Sequence, residues 1–286
     1  MGDPDCTSAG DSAGDPKKTS ARDADEDPHS TGSQLGGGRA EREKPTIVVR
    51  GTRPGDIAAI ERIAKMVYPG DAWTFEELLT QYRQFPEGQL VAVDAGTGEV
   101  VGMAASLLIR SAAYSQRASY ARMTAYGTFR NHDPRGETLY GAEVMVDPTR
   151  RRQGIGAKLY DGRRQLARRL GVSRILAGAR LPGYSRYADT LSAEQYVANV
   201  LAGNLSDPTL SFQLRQGFRV VCVVPRYAGS DTQSHGYAAL IEWEAGERGL
   251  PADLSRTRRA AQRGRAAMTR QRVRPDLATW RRARAS

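Results

Sequence analysis

The sequence predicts an α/β domain of the α+β type, in which helices flank a central mixed, mostly antiparallel sheet. Strand-like and helix-like apolar periods alternate from Pro45 onwards. Two apolar segments, 89–94 and 99–109, are joined by the short glycine-containing connection "AGTG", which is typical of an antiparallel hairpin. A strand, a helix and a second strand follow one another over residues 138–178, which indicates a βαβ-like unit.

The composition divides the chain into three parts. Residues 1–44 are rich in Asp, Gly, Ser and Pro and have almost no large apolar side chains, so we expect a disordered acidic leader. Residues 45–244 have the periodic pattern of one folded domain, and residues 245–286 form a basic tail rich in Arg and Ala. The leader has ten acidic and six basic side chains, and the tail has three acidic residues and twelve arginines. This leaves +5 of the net charge of +10 for the domain.

This charge and the cysteine content limit the partners that we expect. The positive domain suits a polyanionic ligand, and the tail is either solvated, which we favour, or binds nucleic acid or another acidic partner. The chain has neither an eighteen-residue apolar run nor a basic-then-apolar leader, so we expect a cytoplasmic protein without membrane span or signal peptide. Cys6 and Cys222 lack CxxC or His-rich spacing, which predicts no disulfide framework and no metal site. Cys222, in "FRVVCVVP", is expected to be a buried, inert thiol on a strand.

The first part of the domain predicts a strand, two helices and the hairpin. "TIVVR" has the β-branched content of a strand. Asp56 is the expected N-cap of a first helix, whose apolar residues recur at helical spacing. Thr74 begins a second helix, and Glu77 three residues later completes a capping box. The hairpin strands "QLVAVD" and "EVVGMAASLLI" follow.

The second part predicts the remaining strands and two insertions. Residues 110–137 are polar without a clear period, so we expect an insertion over one face of the sheet. "TLYGAEVMVD" is a strand that leads through an arginine-rich turn into a helix over about 154–170 and the strand "SRILAG". The insertion 178–206 contains the short helix "SAEQYVANVLAG" and is expected to line a pocket. A last helix has Pro208 near its start and Gly217 past its end, and "FRVVCVV" and "GYAALIEWE" complete the sheet.

The turn "VDPTRRRQGIGAKLYD" has the features of an anion site. The first turn of a helix offers unbonded backbone N–H groups and the positive end of the helix dipole. Gly154 and Gly156 let a ligand approach the backbone closely, and Arg150, Arg151 and Arg152 supply positive charge. Close packing of the helix on a strand is the alternative reason for two glycines. The pattern matches neither GxxxxGK[ST] nor a complete GxGxxG, which disfavours a P-loop or a dinucleotide fold.

The same turn resembles the signature of the GNAT acetyltransferase superfamily, Gln/Arg-x-x-Gly-x-Gly/Ala, through Arg151, Gly154 and Gly156. The element order from about Thr46 to Glu244 is also similar to that of the family. The resemblance implies that the strand before the signature separates from its neighbour and that acetyl-CoA is the co-substrate. Backbone groups at the strand end would pair with the pantetheine arm, and N–H groups of the turn would bind the pyrophosphate. The implied binding residues are Met145, Val146, Arg151, Arg152, Gln153, Gly154, Ile155, Gly156 and Ala157.

Four segments show a narrower resemblance, to the GNAT domains found fused ahead of a nitrilase-like amidohydrolase domain. They are "YPGDAWTFEELLTQYRQFPEGQL", "RNHDPRGETLYGAEVMVDP", "PGYSRYADTLSAEQYV" and "DPTLSFQLRQGFRV". The chain ends before such a domain, so we expect a free-standing version. The resemblance implies an amidohydrolase as a candidate separate partner.

The resemblance also implies a carboxylate near the signature strand that takes a proton from an acceptor amine. Glu143 in "YGAEVMV" is the candidate base, because a charge in an apolar strand is costly unless it is exposed, paired or functional. Many relatives have a tyrosine as general acid four residues before a Gly-Phe pair, where this chain has Gln213. Tyr187 is the candidate replacement, with Tyr184 and Tyr196 as alternatives in the same insertion. A thiolate can also leave without an acid.

Together these features predict an N-acyltransferase that moves an acetyl group from acetyl-CoA to a primary amine of a small molecule, peptide or protein. The amine attacks directly in a ternary complex, and its identity is not specified by the sequence. The alternative is a non-catalytic acyl-CoA-binding or sensing module, which the glutamine at position 213 favours. His132 in "RNHDP" is a second candidate base, although a lone loop histidine is more often structural.

Overall fold

A computed structural model describes residues 45–246, so the predicted acidic leader and most of the basic tail lie outside the described residues. The order of strands in the sheet is first, second, third, fourth, fifth, seventh, sixth. Every neighbouring pair is antiparallel except the fourth and fifth strands, which are parallel. This confirms the predicted mixed, mostly antiparallel sheet. The strands are β1 (Ile47–Gly51), β2 (Gln89–Asp94), β3 (Val100–Ile109), β4 (Thr138–Val146), β5 (Arg174–Arg180), β6 (Arg219–Val224) and β7 (Ala238–Glu244).

Helices cover both faces of this sheet, because successive side chains of a strand point to opposite sides. In β3, Leu107 packs in the core with the first three helices, and Leu108 packs with the last three. The central strands are therefore apolar on both faces. The helices are α1 (Ile57–Val67), α2 (Phe75–Gln84), α3 (Tyr120–Thr124), α4 (Ile155–Arg169), α5 (Ala193–Leu201) and α6 (Leu210–Arg215).

The two predicted N-caps of the first helices have different outcomes. Thr74 caps α2 as predicted: its Oγ1 accepts from the N–H of Glu77 at 3.3 Å, and its own N–H donates to the Glu77 carboxylate at 2.8 Å. Asp56 is the N-cap residue of α1 as predicted, but its side chain makes no capping hydrogen bond. A 3₁₀ turn over 54–56 comes first, and the carboxylate of Asp56 bonds to Arg50 at 2.6 Å and to the N–H of Arg53 at 2.7 Å.

The two insertions contain short helices. Helix α3 was not predicted, because five residues are too few to show a helical period. Helix α5 lies in the second insertion, and Ser192 caps it by accepting from the N–H of Gln195 at 3.2 Å. Gly217 follows α6 with φ +84, as expected for a glycine past a helix end. Cys222 is on β6 as predicted but only half-buried, because β6 is an edge strand of the sheet.

The parallel strands β4 and β5 pair over only four residues. Thr138 to Gly141 pair with Arg174 to Ala177, and the strands separate beyond that point. The pairing of β4 with β3 also shifts there, since Gly141 is opposite Ser106 but Glu143 is opposite Ala105. Ala142 is therefore the extra residue of a β-bulge, and bulges bend a strand and increase its twist. The second half of β4 is thus left without a partner on the side of β5.

Candidate active site

The segment after β4 places a row of unbonded donors at the start of α4. Among residues 45–246, no acceptor is bonded to the backbone N–H groups of Arg151 through Ala157. Arg152 and Gly154 have φ of +63 and +75, so the chain turns sharply before the helix begins. Gly154 is the N-cap and has no side chain to occupy these donors. The arrangement provides unbonded N–H groups at the positive end of a fifteen-residue helix, which suits a phosphate group.

The three arginines of this turn do not have the same role. Arg150 forms a salt bridge with Asp94, so its charge is used to fix the turn to the β2–β3 hairpin. Arg151 and Arg152 are exposed beside the unbonded donors. Asp147 is structural, since its Oδ1 accepts from the N–H of Thr149 at 2.9 Å.

The two glycines of the signature also differ in what surrounds them. A Cβ at Gly154 would meet nothing within 4 Å, and only its positive φ requires glycine. A Cβ at Gly156 would lie 3.1 Å from Cζ of Phe212, so this glycine lets α6 pack closely on α4. Close packing therefore explains Gly156, whereas the backbone conformation explains Gly154.

The candidate base Glu143 lies directly after the bulge, where β4 has separated from β5. Its Oε1 accepts from the N–H of Val144 at 2.9 Å and from the hydroxyl of Tyr68 at 3.2 Å. Removal from water raises the pKa of Glu143 to about 7, although the two hydrogen bonds and the charges of Arg180 and Arg163 lower it. The carboxyl group can therefore accept or release a proton near neutral pH.

Arg163 of α4 holds the bulge from the other face of the sheet. Its side chain is 1% exposed, and no carboxylate of the described residues pairs with it. Its guanidinium donates to the Ser106 hydroxyl at 3.0 Å and to the carbonyl oxygens of Ala105 and Glu143 at 2.9 and 2.5 Å. A Cβ at Gly141 would lie 2.8 Å from its Nη1, so glycine leaves room for the guanidinium.

Three tyrosines form an aromatic wall beside Glu143. The hydroxyl groups of Tyr140 and Tyr227 share a hydrogen bond, and the rings of Tyr120 and Tyr227 meet edge to face with centroids 6.0 Å apart. Burial and the negative charge of Glu143 raise the pKa of both Tyr120 and Tyr227. All three hydroxyl groups therefore stay protonated at neutral pH.

Gly178 lies beside this wall, and its replacement tests how tightly the wall is packed. A Cβ at Gly178 would overlap the phenol ring and hydroxyl of Tyr227. We expect Gly178→Ala to displace Tyr227, to break its bond to Tyr140, and to lower the free energy of unfolding by about 1–3 kcal/mol. Urea unfolding measures the loss.

The matched control is the same change at Gly229, where a Cβ meets nothing within 4 Å. In a Tyr227→Ala background, the Gly178→Ala cost should largely disappear, because the overlapping ring is gone. An equal cost in both backgrounds would show that the ring is not the cause.

The charged group of Arg180 lies near Glu143, because both residues contact Tyr68. Arg180 of β5 lies over the Tyr68 ring at 5.3 Å and donates to both carboxylate oxygens of Asp231 at 2.6 and 2.7 Å. Asp231 also accepts from the Ser234 hydroxyl at 2.5 Å. This network fixes the loop between β6 and β7 against the end of β5, and it places a positive charge close to Glu143.

The structure does not place the candidate acid Tyr187 with the candidate base. Tyr187 packs on Tyr196 with ring centroids 5.6 Å apart and on Arg186, and none of its described contacts is to Glu143. Gln213, at the position where relatives have a tyrosine, is buried and donates to the Tyr160 hydroxyl at 2.8 Å.

His132 has a structural role. Its Nδ1 accepts from the N–H of Leu108 at 3.2 Å, and its ring stacks on Phe85 at 4.3 Å. Burial lowers the pKa of His132, which favours the neutral ring that this acceptor role requires. The second candidate base is therefore part of the core packing and not of the opening in the sheet.

Sequence reasoning missed Arg163, Tyr227 and the Arg180–Asp231 pair. One signal was present for Arg163, because it lies on the apolar stripe of α4 with Ile155 and Leu159, at four-residue spacing. A charged residue on such a stripe is a candidate for a buried, hydrogen-bonded group. No local pattern marks the other residues, which meet only through the fold.

No helix of residues 45–246 is long and apolar enough to cross a membrane. No group of three or more His, Cys, Asp or Glu side chains in this range could hold a metal ion.

Comparisons with known proteins show the family of this chain. The family model described as "Acetyltransferase (GNAT) family" matches residues 57–184. "Uncharacterized N-acetyltransferase YkwB" of Bacillus subtilis is 32% identical over 208 residues, which cover 71% of this chain and 91% of YkwB. "Probable hydrolase YhcX" of the same organism is 40% identical over 203 residues, which cover 71% of this chain but only 39% of YhcX.

Solved structures show the same architecture. The "GphF GNAT-like decarboxylase in complex with isobutyryl-CoA" has a TM-score of 0.61 at 26% identity and covers 69% of this chain and 98% of its own. The loading GNATL domain of CurA from Lyngbya majuscula also has a TM-score of 0.61, at 19% identity, over 70% of this chain and 98% of its own. The second similarity concerns the fold alone. From its sequence, its strand separation and these relatives, the chain belongs to the GNAT family of N-acetyltransferases and is an acyltransferase that uses an acyl-CoA co-substrate.

Proposed function

We propose that this enzyme transfers an acetyl group from acetyl-CoA to a primary amine, by direct attack of the amine in a ternary complex, with Glu143 as the general base. The observation that carries the proposal is the position of Glu143. Its carboxyl group, with a pKa of about 7, lies where β4 has just separated from β5. A base with a pKa near the working pH is the most effective for proton transfer.

The proposed chemistry is one transfer step. The amine nitrogen forms a bond to the thioester carbonyl carbon, its proton passes to Glu143 directly or through water, and the C–S bond breaks. The thiolate of CoA takes a proton from water. Gln213 supports this version, because an amide donates hydrogen bonds but is not an acid, and its amino group is already bound to Tyr160.

The unbonded N–H groups of the signature turn support the co-substrate part of the proposal. We expect Gly154→Glu to weaken acetyl-CoA binding by at least about 100-fold, because a carboxylate next to these donors repels the pyrophosphate and competes for them. Isothermal calorimetry measures the dissociation constant.

The matched control is Gly154→Ala, which has the same strain from a positive φ but adds no charge. We expect this variant to bind acetyl-CoA within a few-fold of the unchanged protein. If both variants lose binding equally, backbone strain and not the anion site explains the loss.

The experiment that tests the function is a screen of primary amines with acetyl-CoA. Release of the free thiol of CoA and the mass of the acetylated amine are measured together. Turnover that Glu143→Gln abolishes supports the proposal. A protein that binds acetyl-CoA but acetylates no amine is the non-catalytic acyl-CoA-binding module, and the proposal then fails.

A second candidate reaction comes from the similarity to the GNAT-like decarboxylase, at 26% identity over almost all of that chain. In that reaction an acyl-CoA with a terminal carboxylate would lose CO₂, and a proton would take its place. Malonyl-CoA, incubated without any amine, is the direct probe because its decarboxylation leaves acetyl-CoA. Formation of acetyl-CoA above the level of heat-denatured enzyme would favour this candidate.

We also propose a separate amidohydrolase as a partner in the same process. The similarity to a protein named a probable hydrolase, of which this chain spans about two fifths, supports it. Affinity capture of the tagged full-length chain tests it, with the identity of any co-purified hydrolase as the measurement. A chain that purifies without such an enzyme contradicts it.

A further inference from the structure

A cavity of about 430 Å³ opens between the first insertion and the loop after β6. Three arginines line it, Arg117 and Arg122 from the insertion and Arg226 from the loop, together with Ser115 and Ser119. No acidic side chain is among its lining residues. We call this space the basic cavity.

The charges of the basic cavity are not neutralised within the described domain. Eight other arginine or lysine side chains of residues 45–246 form salt bridges, but Arg117, Arg122 and Arg226 form none. Three unpaired positive charges around one concave surface repel one another and attract an anion.

Hydrogen bonds and turn geometry fix the backbone positions of the three arginines. The Ser115 hydroxyl accepts from the N–H of Arg117 at 3.1 Å, and the Ser119 hydroxyl accepts from the N–H of Arg122 at 3.3 Å. Arg226 has a φ of +53, which is uncommon for a residue with a side chain and is held here by the turn after β6. A backbone hydrogen bond joins the insertion to the loop after β6: the N–H of Tyr120 donates to the carbonyl oxygen of Tyr227 at 2.8 Å.

The basic cavity adjoins the aromatic wall over Glu143. Ser119 and Arg226, which line the cavity, are followed directly by Tyr120 and Tyr227, whose rings pack together. The charge of Glu143 contributes to the raised pKa of both tyrosines, so the carboxyl group lies within their electrostatic reach. The negative charge of Asp71 also raises the pKa of Tyr120. The Asp71 carboxylate accepts a hydrogen bond from the Ser230 hydroxyl and does not line the cavity. The basic cavity and Glu143 are therefore both neighbours of Tyr120 and Tyr227.

We propose that the basic cavity binds an anionic group, a phosphate or a carboxylate, of the amine acceptor. The acceptor part rests on the proposed function, whereas the anion site itself does not. Arginine binds both groups through paired N–H donors. By binding an anionic group that is distant from the reacting amine, the arginines would select the substrate without taking part in the reaction. The arginines are thus specificity-determining residues, and Glu143 remains the base.

The first experiment measures binding of inorganic pyrophosphate to protein that is saturated with CoA, so that the signature turn is already filled. The test variant is Arg117→Ala/Arg122→Ala. The control variant is Arg62→Ala/Arg83→Ala, which removes the same charge from two exposed positions on α1 and α2. We expect the test variant to bind pyrophosphate at least about 10-fold more weakly and the control to bind it as the unchanged protein does. No saturable binding, or equal weakening in both variants, overturns the anion site.

The second experiment compares acetylation of matched amines that differ in charge. O-Phosphoethanolamine is compared with ethanolamine, and β-alanine with propylamine, so the two pairs distinguish a phosphate from a carboxylate. We expect a higher kcat/KM for an anionic member, and we expect Arg117→Ala/Arg122→Ala to remove this preference while turnover of the neutral member persists. Equal kcat/KM within both pairs overturns the acceptor assignment. If no amine of any charge is acetylated, the proposed function fails, and pyrophosphate binding alone decides whether the cavity is an anion site.

Discussion

Glu143→Gln is expected to lower kcat for amine acetylation by about 100-fold to 10,000-fold, the contribution that a positioned general base usually makes. Glutamine keeps the size of the side chain but cannot take a proton. Because only the ionised carboxylate is a base, kcat/KM of the unchanged enzyme should rise with pH through a midpoint near 7, the pKa of Glu143 in the ligand-free protein. Stopped assays from pH 5.5 to 9 at saturating acetyl-CoA measure both effects.

Stability provides an independent control for this prediction. The folded protein raises the pKa of Glu143 from 4.5 to about 7, so the folded state binds the proton more tightly than the unfolded state does. The stabilisation from this proton is complete below pH 4.5 and is lost as pH rises through 7. Glu143→Gln should therefore unfold with less pH dependence across this window than the unchanged protein. A variant that retains full kcat at pH 8 would contradict the role of Glu143 as base.

Arg163→Met is expected to lower the free energy of unfolding by on the order of 3 kcal/mol, because it removes the buried charged donor of three acceptors. The three are the Ser106 hydroxyl and the carbonyl oxygens of Ala105 and Glu143. Methionine fills most of the volume, so the loss reports the hydrogen bonds more than a cavity. Guanidinium chloride unfolding followed by circular dichroism measures it.

Arg169→Met is the matched control on the same helix, because Arg169 is exposed. We expect it to change the free energy of unfolding by less than about 0.5 kcal/mol. Arg163→Lys should lie between the two, since it keeps one charged donor but not the planar group that reaches three acceptors. Equal stability of Arg163→Met and Arg169→Met would show that the buried guanidinium does not hold the bulge.

The sequence was sufficient for most of the fold because its signals are local. The capping box at Thr74, the glycine after α6 and the glycine-containing hairpin each act within a few residues. Asp56 shows the limit of such signals. A side chain of the preferred type stands before α1, but Arg50 from the preceding strand offers it a charged partner that a helix start does not.

The site was less accessible to sequence reasoning because its residues meet through tertiary contacts. Glu143 could be found, since a lone acid in an apolar strand is unusual. Arg180 ends the neighbouring strand β5, and Tyr227 follows the edge strand β6, so both are distant from Glu143 in sequence and approach it only in the folded sheet. The choice of Tyr187 as acid followed from its place in an insertion, and sequence position does not determine which way an insertion faces.

Helix α4 has a consequence for how this enzyme can be altered. Its first residue, Ile155, is among the residues with an unbonded N–H group, and Arg163 lies eight residues later, about 12 Å along the axis at the usual rise of a helix. The helix therefore sets the spacing between the unbonded N–H groups at its start and the bulge of β4 that Arg163 contacts. Insertion or deletion of a single residue in this interval would rotate one end against the other by about 100°.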